Sequence, residues 1–311
     1  MAERQGSSPR VSIVTPVFDK GEFLEETLRS VQEQTCRDWE LILVDDGSSD
    51  RSRAIAGRHA RRDPLRVRLI RHPGGSHRGP FASRLLGARR ARSCLIALLD
   101  ADDVWEPDYL RRHLRFWRRM RPSGAVLTYG PALYWYPANG AGISDYAHAM
   151  PARSEAVFRP GELLRNFLSS GHDTEPRTSC SLLSREALLA MARFEPAARR
   201  APFFEDNFLM WGIATRWPIA VHPHAWVRYR QRWRPGARPA WMYRRLCREE
   251  AVFLRRMRAH IARYQPRHPL LRPEGIAARL AALRRLDRAS PFGDYFTERI
   301  PAELRRLARR S

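Results

Sequence analysis

The first hundred residues alternate between short apolar runs and segments with helical spacing. Four short segments predict strands: a β-branched run over 11–17, a second strand over 39–44, a segment in which Val67 and Leu69 alternate with arginines over 66–71, and a continuous apolar run over 94–99. Strands that alternate with helices predict an α/β layered fold with a mostly parallel sheet. In open sheets of this kind, ligands bind outside the carboxyl ends of the strands.

The segments between the runs predict the connecting helices. Leu24, Leu28 and Val31 recur at helical spacing. Asp19 and Glu22 stand in front of them at the spacing of a capping box. Two more helices are predicted at about 51–62 and 81–91.

The fourth run ends in three carboxylates within four residues, Asp100, Asp102 and Asp103. Like charges this close repel and raise each other's pKa, so a bare cluster costs stability. A divalent cation compensates for the repulsion, and hard oxygen ligands suit Mg²⁺ or Mn²⁺ shared with the phosphates of a substrate. Asp103 alternatively caps the next helix. Asp100 and Asp102 are spaced to leave the strand together on one side.

Further polar residues lie where the predicted strands end. The full set at these ends is Thr15, Asp45, Asp46, Arg71, Asp100 and Asp102. We expect it to converge on one crevice, although Asp45 and Asp46 alternatively form an ordinary Asx turn. The sequence lacks GxGxxG after the first strand and lacks GxxxxGK[ST], which disfavours a dinucleotide site and excludes a P-loop. A nucleotide site with acidic residues and a metal for the diphosphate remains.

Composition limits the class of protein. The 311 residues, 43% of them hydrophobic, suffice for one large domain or one domain plus an extension. Lys20 is the only lysine among 56 Lys and Arg residues, a bias that fits a GC-rich genome better than selection for a partner. The net charge of +23 should still attract anionic surfaces. Scattered cysteines, no secretory signal and no apolar stretch of membrane-spanning length predict a cytoplasmic protein.

Four stretches carry a family resemblance. They are VSIVTPVF from Val11, SVQEQT from Ser30, ELILVDDGSSD from Glu40 and LDADDVWEP from Leu99. In this order and spacing they resemble family 2 glycosyltransferases over roughly residues 10–232. Each stretch alone is weak, since a DxD motif occurs by chance in many proteins, but the ordered set is specific. The resemblance implies the GT-A (Rossmann-like) fold and inverting, metal-dependent transfer from a nucleotide sugar, with a UDP-sugar as the default donor.

The resemblance also implies roles on the donor side. Thr15 and Asp45 would line the nucleobase pocket, with Asp46 nearby. Asp100 would reach the ribose and the metal, and Asp102 would ligate the Mn²⁺ or Mg²⁺ that bridges the diphosphate. The complete set expected to contact the donor is Thr15, Pro16, Asp45, Asp46, Arg71, Arg84, Asp100, Ala101, Asp102 and Arg232.

Two positions depart from the pattern of the family. The family usually has Ala-Arg-Asn after the glycine loop, whereas here Arg84 is followed by Leu85 and the asparagine is missing. Many relatives have a histidine shortly after the last Tyr-Arg, and Arg232 would replace it as a phosphate-neutralising cation. Arg71 would contact the base or the phosphates. These departures affect the details of donor recognition and not the fold.

Glu205 and Asp206 stand in a strongly apolar stretch, residues 202–211. Burial should raise both pKa values and favour a proton-accepting role near neutrality, although the pair alternatively stabilises a helix N-terminus. The resemblance implies that Asp206 is the base that deprotonates the acceptor and that Glu205 supports it. The acceptor is not identified: a saccharide, lipid, peptide or small natural product remains open.

The chain divides into a predicted GT-A domain, 1–236, and an Arg-rich helical extension, 237–311. Within the domain, the nucleotide-sugar half spans about 10–105 and the acceptor half about 106–236. The extension carries two apolar stripes: Leu246, Phe253, Met257 and Ile261, then Ile276, Leu280 and Leu283. We expect these stripes to pack on the domain or on each other, with peripheral binding to an anionic membrane as the alternative.

Two other functions compete with glycosyl transfer. A sugar-1-phosphate nucleotidyltransferase shares the sheet architecture but usually has a glycine- and arginine-rich loop where this chain has Thr15-Pro16-Val17. A non-catalytic protein that binds polyanions or a membrane surface is the other alternative. No nucleic-acid-binding motif is present, so we expect no nucleic-acid partner.

Overall fold

The protein structure, a computed structural model, describes residues 8–137, 144–147, 150, 154–170, 175–231, 240–264, 276–277 and 280–281. The strands are β1 (Val11–Val17), β2 (Trp39–Asp45), β3 (Val67–Arg71), β4 (Leu95–Leu98), β5 (Val104–Trp105), β6 (Leu127–Tyr129), β7 (Leu133–Trp135), β8 (Tyr146–Ala147), β9 (Ala156–Phe158), β10 (Ser181–Ser184), β11 (Ile219–Val221) and β12 (Val227–Arg230). The α-helices are α1 (Leu24–Gln32), α2 (Ser52–Arg62), α3 (Pro80–Arg90), α4 (Tyr109–Met120), α5 (Glu162–Ser170), α6 (Arg185–Leu189), α7 (Glu195–Ala198), α8 (Glu205–Ala214) and α9 (Ala240–Tyr264).

Among the described residues, eight strands form the main sheet, in the order β3-β2-β1-β4-β10-β6-β11-β9. The first four are parallel to one another, as the alternation of strands and helices predicts. β10 runs antiparallel between β4 and β6, β11 is parallel to β6, and β9 forms an antiparallel edge. The predicted α/β fold with a mostly parallel sheet flanked by helices is confirmed.

Apolar residues of β1 alternate between the two faces of this sheet. Ile13 packs in one buried cluster with Leu24 of α1, while Val14 packs in another with Leu85 of α3. All residues of β2 are buried, as expected for a strand covered on both faces. Each fully buried Ile or Leu stabilises the fold by about 1.5–3 kcal/mol relative to exposure, so the two clusters hold the strand ends in place.

The capping box predicted for α1 is wrong. The helix begins at Leu24 with Phe23 at its N-cap, and no side chain makes a capping hydrogen bond there. Asp19 instead has a left-handed backbone, with φ of 47°. Its Oδ1 accepts hydrogen bonds from the backbone N–H groups of Ser49 at 2.8 Å and Asp50 at 3.2 Å. The carboxylate therefore ties the loop after β1 to the loop after β2.

The alternative that Asp103 caps the next helix is also wrong. The short strand β5 intervenes, and α4 has Asp108 at its N-cap. Asp103 is buried, and its Oδ1 accepts a hydrogen bond from the backbone N–H of Arg230 at 3.0 Å. It therefore joins the end of β4 to β12.

A second sheet, in the order β5-β12-β7-β8, lies next to the end of β4. In it Val227 of β12 pairs with Trp105 of β5, immediately after the acidic cluster. This pairing places Tyr229 and Arg230 beside the carboxylates that follow β4.

The apolar stripe of α9 packs on the main core. Its residues Leu246, Phe253, Met257 and Ile261 are buried in the same cluster as residues of α3 and α8. Ile276 and Leu280 also belong to that cluster, whereas Leu283 lies outside the described residues. Within the described ranges, no helix combines the length and apolar character needed to cross a membrane.

Candidate active site

A cleft of about 440 Å³ opens at the carboxyl ends of β1, β2 and β4. Eight residues assigned from the sequence line it: Pro16, Asp46, Arg84, Asp100, Ala101, Asp102, Glu205 and Asp206. Thr15, Asp45 and Arg71 do not line it, and Arg232 lies outside the described residues. The structure therefore brings the DxD carboxylates and the Glu-Asp pair together in one cleft.

Asp45 is buried behind the cleft and organises its own turn. Its Oδ1 accepts the backbone N–H of Ser48 at 3.1 Å, as in the Asx-turn alternative. Its Oδ2 accepts Arg53 Nε at 2.9 Å and lies 3.4 Å from Arg71 Nε. Arg71 thus contacts Asp45. The hydroxyl of Thr15 is buried without a hydrogen-bond partner among the described residues.

Asp46 holds the glycine loop against the cleft. Its carboxylate accepts backbone N–H groups from Arg78 at 2.7 Å and Gly79 at 2.8 Å, and His77 Nδ1 lies 2.9 Å from it. The ring of His77 packs 4.1 Å from that of Phe18. Because Gly79 immediately precedes α3, this carboxylate fixes the start of the helix that carries Arg84.

Arg84 is a buried cation that bridges two parts of the site. Its guanidinium donates to Asp100 Oδ1 and to Glu205 Oε1, each at 2.6 Å. Burial opposes the charge of Arg84, but the two carboxylates raise its pKa above the ordinary value. Thr178 Oγ1 donates to the other oxygen of Asp100 at 2.7 Å. Burial acts to raise the pKa of Asp100, yet Arg84 and Thr178 bring it below its usual range.

Asp102 and Asp103 have different partners. Asp102 forms an ion pair with the ammonium of Lys20. Asp103 is enclosed by Ser179 and the backbone of Arg230. Burial, together with the neighbouring charges of Asp102 and Asp100, raises the pKa of Asp103 well above its ordinary value. The three carboxylates therefore differ in their partners, and Asp103 holds the local structure together.

Asp102 suits a divalent cation that keeps most of its ligands outside the protein. Among the described residues, no three His, Cys, Asp or Glu side chains form a metal-binding group. Mg²⁺ typically binds one or two protein carboxylates, several waters and the phosphates of a substrate. Asp102, with Asp100 next to it, provides this donor set. Lys20 occupies one oxygen of Asp102 and would have to yield to the metal.

Glu205 and Asp206 begin α8 and line the same cleft as the DxD carboxylates. Burial raises the pKa of Glu205 to about 7 despite its contact with Arg84, and its Oε2 has no hydrogen-bond partner in the described chain. Burial and the charge of Glu175 raise the pKa of Asp206. Asp206 Oδ1 accepts the backbone N–H of Asn207 at 2.9 Å. Both carboxylates also lie in the first helical turn, where negative charge is favourable.

Several lining residues were not assigned from the sequence: Phe18, Lys20, His77, Tyr229 and Arg230. The sequence contained one signal that could have pointed to Lys20, because it is the only lysine in the chain. Arg230 donates to the backbone oxygen of Asp102 at 2.8 Å, and this contact joins residues 128 positions apart. Local sequence patterns cannot reveal such a contact.

Comparison with known proteins identifies relatives of this chain. The sequence model described as Glycosyl transferase family 2 matches residues 12–188. The putative teichuronic acid biosynthesis glycosyltransferase TuaG of Bacillus subtilis is 34% identical over 141 residues, covering 45% of this chain and 53% of TuaG. The uncharacterised glycosyltransferase EpsJ of B. subtilis is 41% identical over 95 residues, covering 30% of this chain and 26% of EpsJ. The chain thus spans about half the length of TuaG, or less for EpsJ.

Solved structures share the fold across nearly the whole chain. The S. aureus TarS 1–349 structure in complex with UDP superposes with a TM-score of 0.54 at 15% identity, covering 96% of this chain and 92% of that one. The mannosyltransferase PcManGT from Pyrobaculum calidifontis, in complex with GDP-Man and Mn²⁺, gives a TM-score of 0.50 at 14% identity, covering 97% and 79%. At these identities the likeness establishes the fold alone.

Proposed function

This chain belongs to glycosyltransferase family 2, and from that premise we propose that it is a metal-dependent inverting enzyme whose donor is a nucleoside diphosphate sugar. The family match favours glycosyl transfer over the nucleotidyltransferase and non-catalytic alternatives. The observation that carries the proposal is one cleft that contains both Asp100-Ala101-Asp102 and Glu205-Asp206, joined by buried Arg84.

The donor side is the wall formed by the DxD motif. Asp102 would hold the divalent cation, with Asp100 next to it. When bound, the cation supplies Lewis-acid stabilisation of the leaving diphosphate. Asp100 is fixed by Arg84 and Thr178, so its position is set before substrate arrives. Such preorganised charge needs no rearrangement as the reaction proceeds.

The acceptor side is the wall formed by the start of α8. Asp206 would accept the proton of the acceptor hydroxyl as that oxygen forms a bond to the anomeric carbon. The bond from this carbon to the diphosphate oxygen breaks on the opposite face, which inverts the configuration. Burial raises the pKa of Asp206, which makes it a better proton acceptor than an exposed aspartate. Glu205 is bound to Arg84 and would support the base by holding the start of α8 in register with Asp100.

The identity of the donor nucleotide is a further proposal that depends on the donor class. We take UDP as the default because it is the commonest donor nucleotide in the family, and the TarS structure that shares the fold contains UDP. GDP is the competing choice, since PcManGT is described with GDP-Man and Mn²⁺. Asp45 and Arg71 contact each other and do not line the cleft, so they would contribute to base selection through the turn after β2. Thr15 is buried in β1 and would contribute only through the position of that strand.

The decisive experiment is a donor screen with the purified chain. UDP-sugars and GDP-sugars are incubated with Mn²⁺, with Mg²⁺ or with EDTA, and release of nucleoside diphosphate is measured. We expect release from one nucleotide class with the metals and none with EDTA. Metal-independent release would refute the role given to Asp102, and consumption of no nucleotide sugar would refute the donor class.

Cytoplasmic location and peripheral contact with an anionic membrane stay proposals. The net charge of +23 and five exposed arginines on α4 support such contact: Arg111, Arg112, Arg115, Arg118 and Arg119. Sedimentation with vesicles of phosphatidylglycerol and phosphatidylcholine tests it. Salt-sensitive binding to the anionic vesicles alone supports the proposal, whereas no binding at low salt contradicts it.

A further inference from the structure

Lys20 is the ion-pair partner of Asp102, and it lines the cleft. The two arginines in this lining, Arg84 and Arg230, already have several partners. Arg84 is buried between two carboxylates. Arg230 contacts Glu26, the backbone of Asp102 and the ring of Trp135. Lys20 is therefore the cation in the described lining that could leave its partner without dismantling the surrounding fold.

The loop that carries Lys20 is held in place from the neighbouring loop. The backbone N–H of Lys20 donates to Ser52 Oγ at 2.8 Å, and that of Gly21 donates to Asp50 Oδ2 at 2.8 Å. On the other side, Asp19 adopts a left-handed backbone, and its carboxylate accepts hydrogen bonds from the backbone N–H groups of Ser49 and Asp50. The backbone of Lys20 is thus fixed at both neighbours, while its four-carbon side chain remains a flexible arm.

The choice of lysine matters chemically at this position. Every Lys or Arg residue of the chain except Lys20 is an arginine, so Lys20 departs from the strong bias of the chain. An ammonium is a compact point charge with rotatable donors, whereas a guanidinium forms a rigid fork that binds a carboxylate in two places. Lysine can therefore exchange an aspartate for a phosphate oxygen more readily than arginine can.

We propose that Lys20 is a movable counter-ion for the leaving diphosphate. Without donor, its ammonium neutralises Asp102 in the position that a divalent cation would need. When metal and nucleoside diphosphate bind together, Asp102 passes to the metal and Lys20 turns to the diphosphate oxygens. Asp102 and the bound diphosphate then each have a cationic partner. This inference rests on the donor site proposed above and adds a residue to it.

The proposal predicts opposite effects of one substitution on two ligands. In Lys20→Met, Asp102 loses its ion pair with Lys20, so Mn²⁺ alone should bind about 3-fold to 10-fold more tightly, as followed by the electron paramagnetic resonance signal of free Mn²⁺. When Mn²⁺ is present, the same substitution removes a charged contact to the diphosphate of UDP or GDP. Uridine and guanosine lack the diphosphate and cannot make this contact. The ratio of diphosphate to nucleoside affinity, measured by calorimetry, should fall about 10-fold or more.

Two control variants separate this role from a general change in charge or folding. Arg111→Met removes a positive charge from an exposed ion pair on α4 and should change neither affinity. Lys20→Arg keeps Asp102 paired, so Mn²⁺ alone should bind as weakly as to the unmodified protein. If Lys20→Met does not fold, Lys20→Gln replaces it, and thermal melting of each variant verifies the fold.

Each outcome decides the question. Tighter Mn²⁺ binding together with a lower diphosphate-to-nucleoside ratio supports the proposal, and an unchanged value of either overturns it. If the unmodified protein binds UDP and GDP no better than uridine and guanosine, the donor site itself is wrong. That failure differs from failure of the present inference, in which the unmodified protein discriminates and Lys20→Met discriminates equally well.

Discussion

Arg84 donates to Glu205 at 2.6 Å across 121 positions of sequence. The same guanidinium donates to Asp100 at the end of β4, so one buried side chain joins the DxD wall and the α8 wall of the cleft. An asparagine usually follows this arginine in the family, and its absence here does not disturb the arginine contacts. The geometry of the site therefore depends on Arg84 as much as on the carboxylates it binds.

Removal of Arg84 should destabilise the protein strongly. In Arg84→Met, buried Glu205 and partly buried Asp100 both lose their cation, and loss of one partner of a buried ion pair typically costs about 3–5 kcal/mol. Urea unfolding measures this cost. Arg58→Met is the matched control, since Arg58 and its partner Glu25 are both nearly half exposed, and it should lose about 1 kcal/mol or less.

A second variant separates charge from packing at Arg84. The double variant Arg84→Met/Glu205→Gln removes one of the two stranded carboxylates. It should therefore recover part of the stability that Arg84→Met loses. If the double variant is no more stable than the single one, the cost comes from lost packing and not from uncompensated charge.

Asp206→Asn should abolish transfer while it preserves donor binding. The amide cannot accept the proton of the acceptor, and general-base catalysis contributes typically about 10²-fold to 10⁴-fold. We expect a loss of at least about 100-fold in donor turnover, with nucleoside diphosphate affinity within about 2-fold of the unmodified protein. Asp108→Asn, at the exposed N-cap of α4, is the matched control and should keep full turnover. Retained activity in Asp206→Asn would remove this residue from the role of base.

Gly87 of α3 packs against Val14 of β1, and its lack of a side chain permits this contact. A Cβ added at Gly87 would meet Val14 Cγ1 at 2.3 Å, so Gly87→Ala overpacks the core and should destabilise the protein by about 1–3 kcal/mol. Gly57→Ala in α2 is the matched control. Its Cβ would meet the flexible end of Arg61 at 3.3 Å and Leu69 at an ordinary contact distance of 4.0 Å, and the change should stabilise the helix by about 0.5–1 kcal/mol. Thermal melting of both variants should shift in opposite directions.

The sequence predicted elements well where a strand or helix determines itself locally. β1 and β2 follow from short segments rich in β-branched and apolar residues, and the predicted β1 and the observed one coincide. Predictions failed where a carboxylate is bound by a distant part of the chain. Asp19 bonds to the loop after β2, and Asp103 bonds to the backbone of Arg230, 127 positions away. Local capping rules cannot anticipate these partners.

The candidate site shows the same division. Carboxylates after β2 and β4 reach one cleft because parallel strands end at a common edge. Thr15 and Arg71 stay out of the lining, because Thr15 is buried within β1 and Arg71 lies against Asp45. Lys20 entered the site through a loop conformation that only the structure reveals. Strand order thus predicted that Asp46, Asp100 and Asp102 would meet, although it also placed Asp45 there, and tertiary contacts decided the counter-ions.

Buried histidines should make the protein sensitive to mild acid. His113 and His222 are buried with ring centroids 5.2 Å apart. Burial lowers the pKa of His113 to about 3, and burial with the neighbouring histidines lowers that of His222 to about 2. Both are neutral in the folded protein near pH 7. The unfolded chain, in which histidine has a pKa of about 6.5, gains their protons first as pH falls.

The sign of the effect follows from this difference. Stability contributed by neutral His113 is complete above pH about 6.5 and is lost as pH falls from there towards about 3. Between pH 7 and 5 the loss is about 2 kcal/mol for each such histidine. Glu205 acts in the opposite direction, because its pKa is raised to about 7 and it gains a proton more readily in the folded state. The pH profile of the unmodified protein therefore contains both contributions.

Comparison with His113→Asn isolates the histidine contribution. The variant is less stable at pH 7, because it loses the contact of His113 with Thr128 at 2.8 Å and leaves a cavity. Its stability should nevertheless fall less than that of the unmodified protein between pH 7 and 5, by about 2 kcal/mol in the free energy of unfolding from urea titrations. Parallel pH profiles would show that His113 takes up its proton equally in the folded and unfolded states. A steeper fall in the unmodified protein identifies the buried imidazole as its acid-sensitive group.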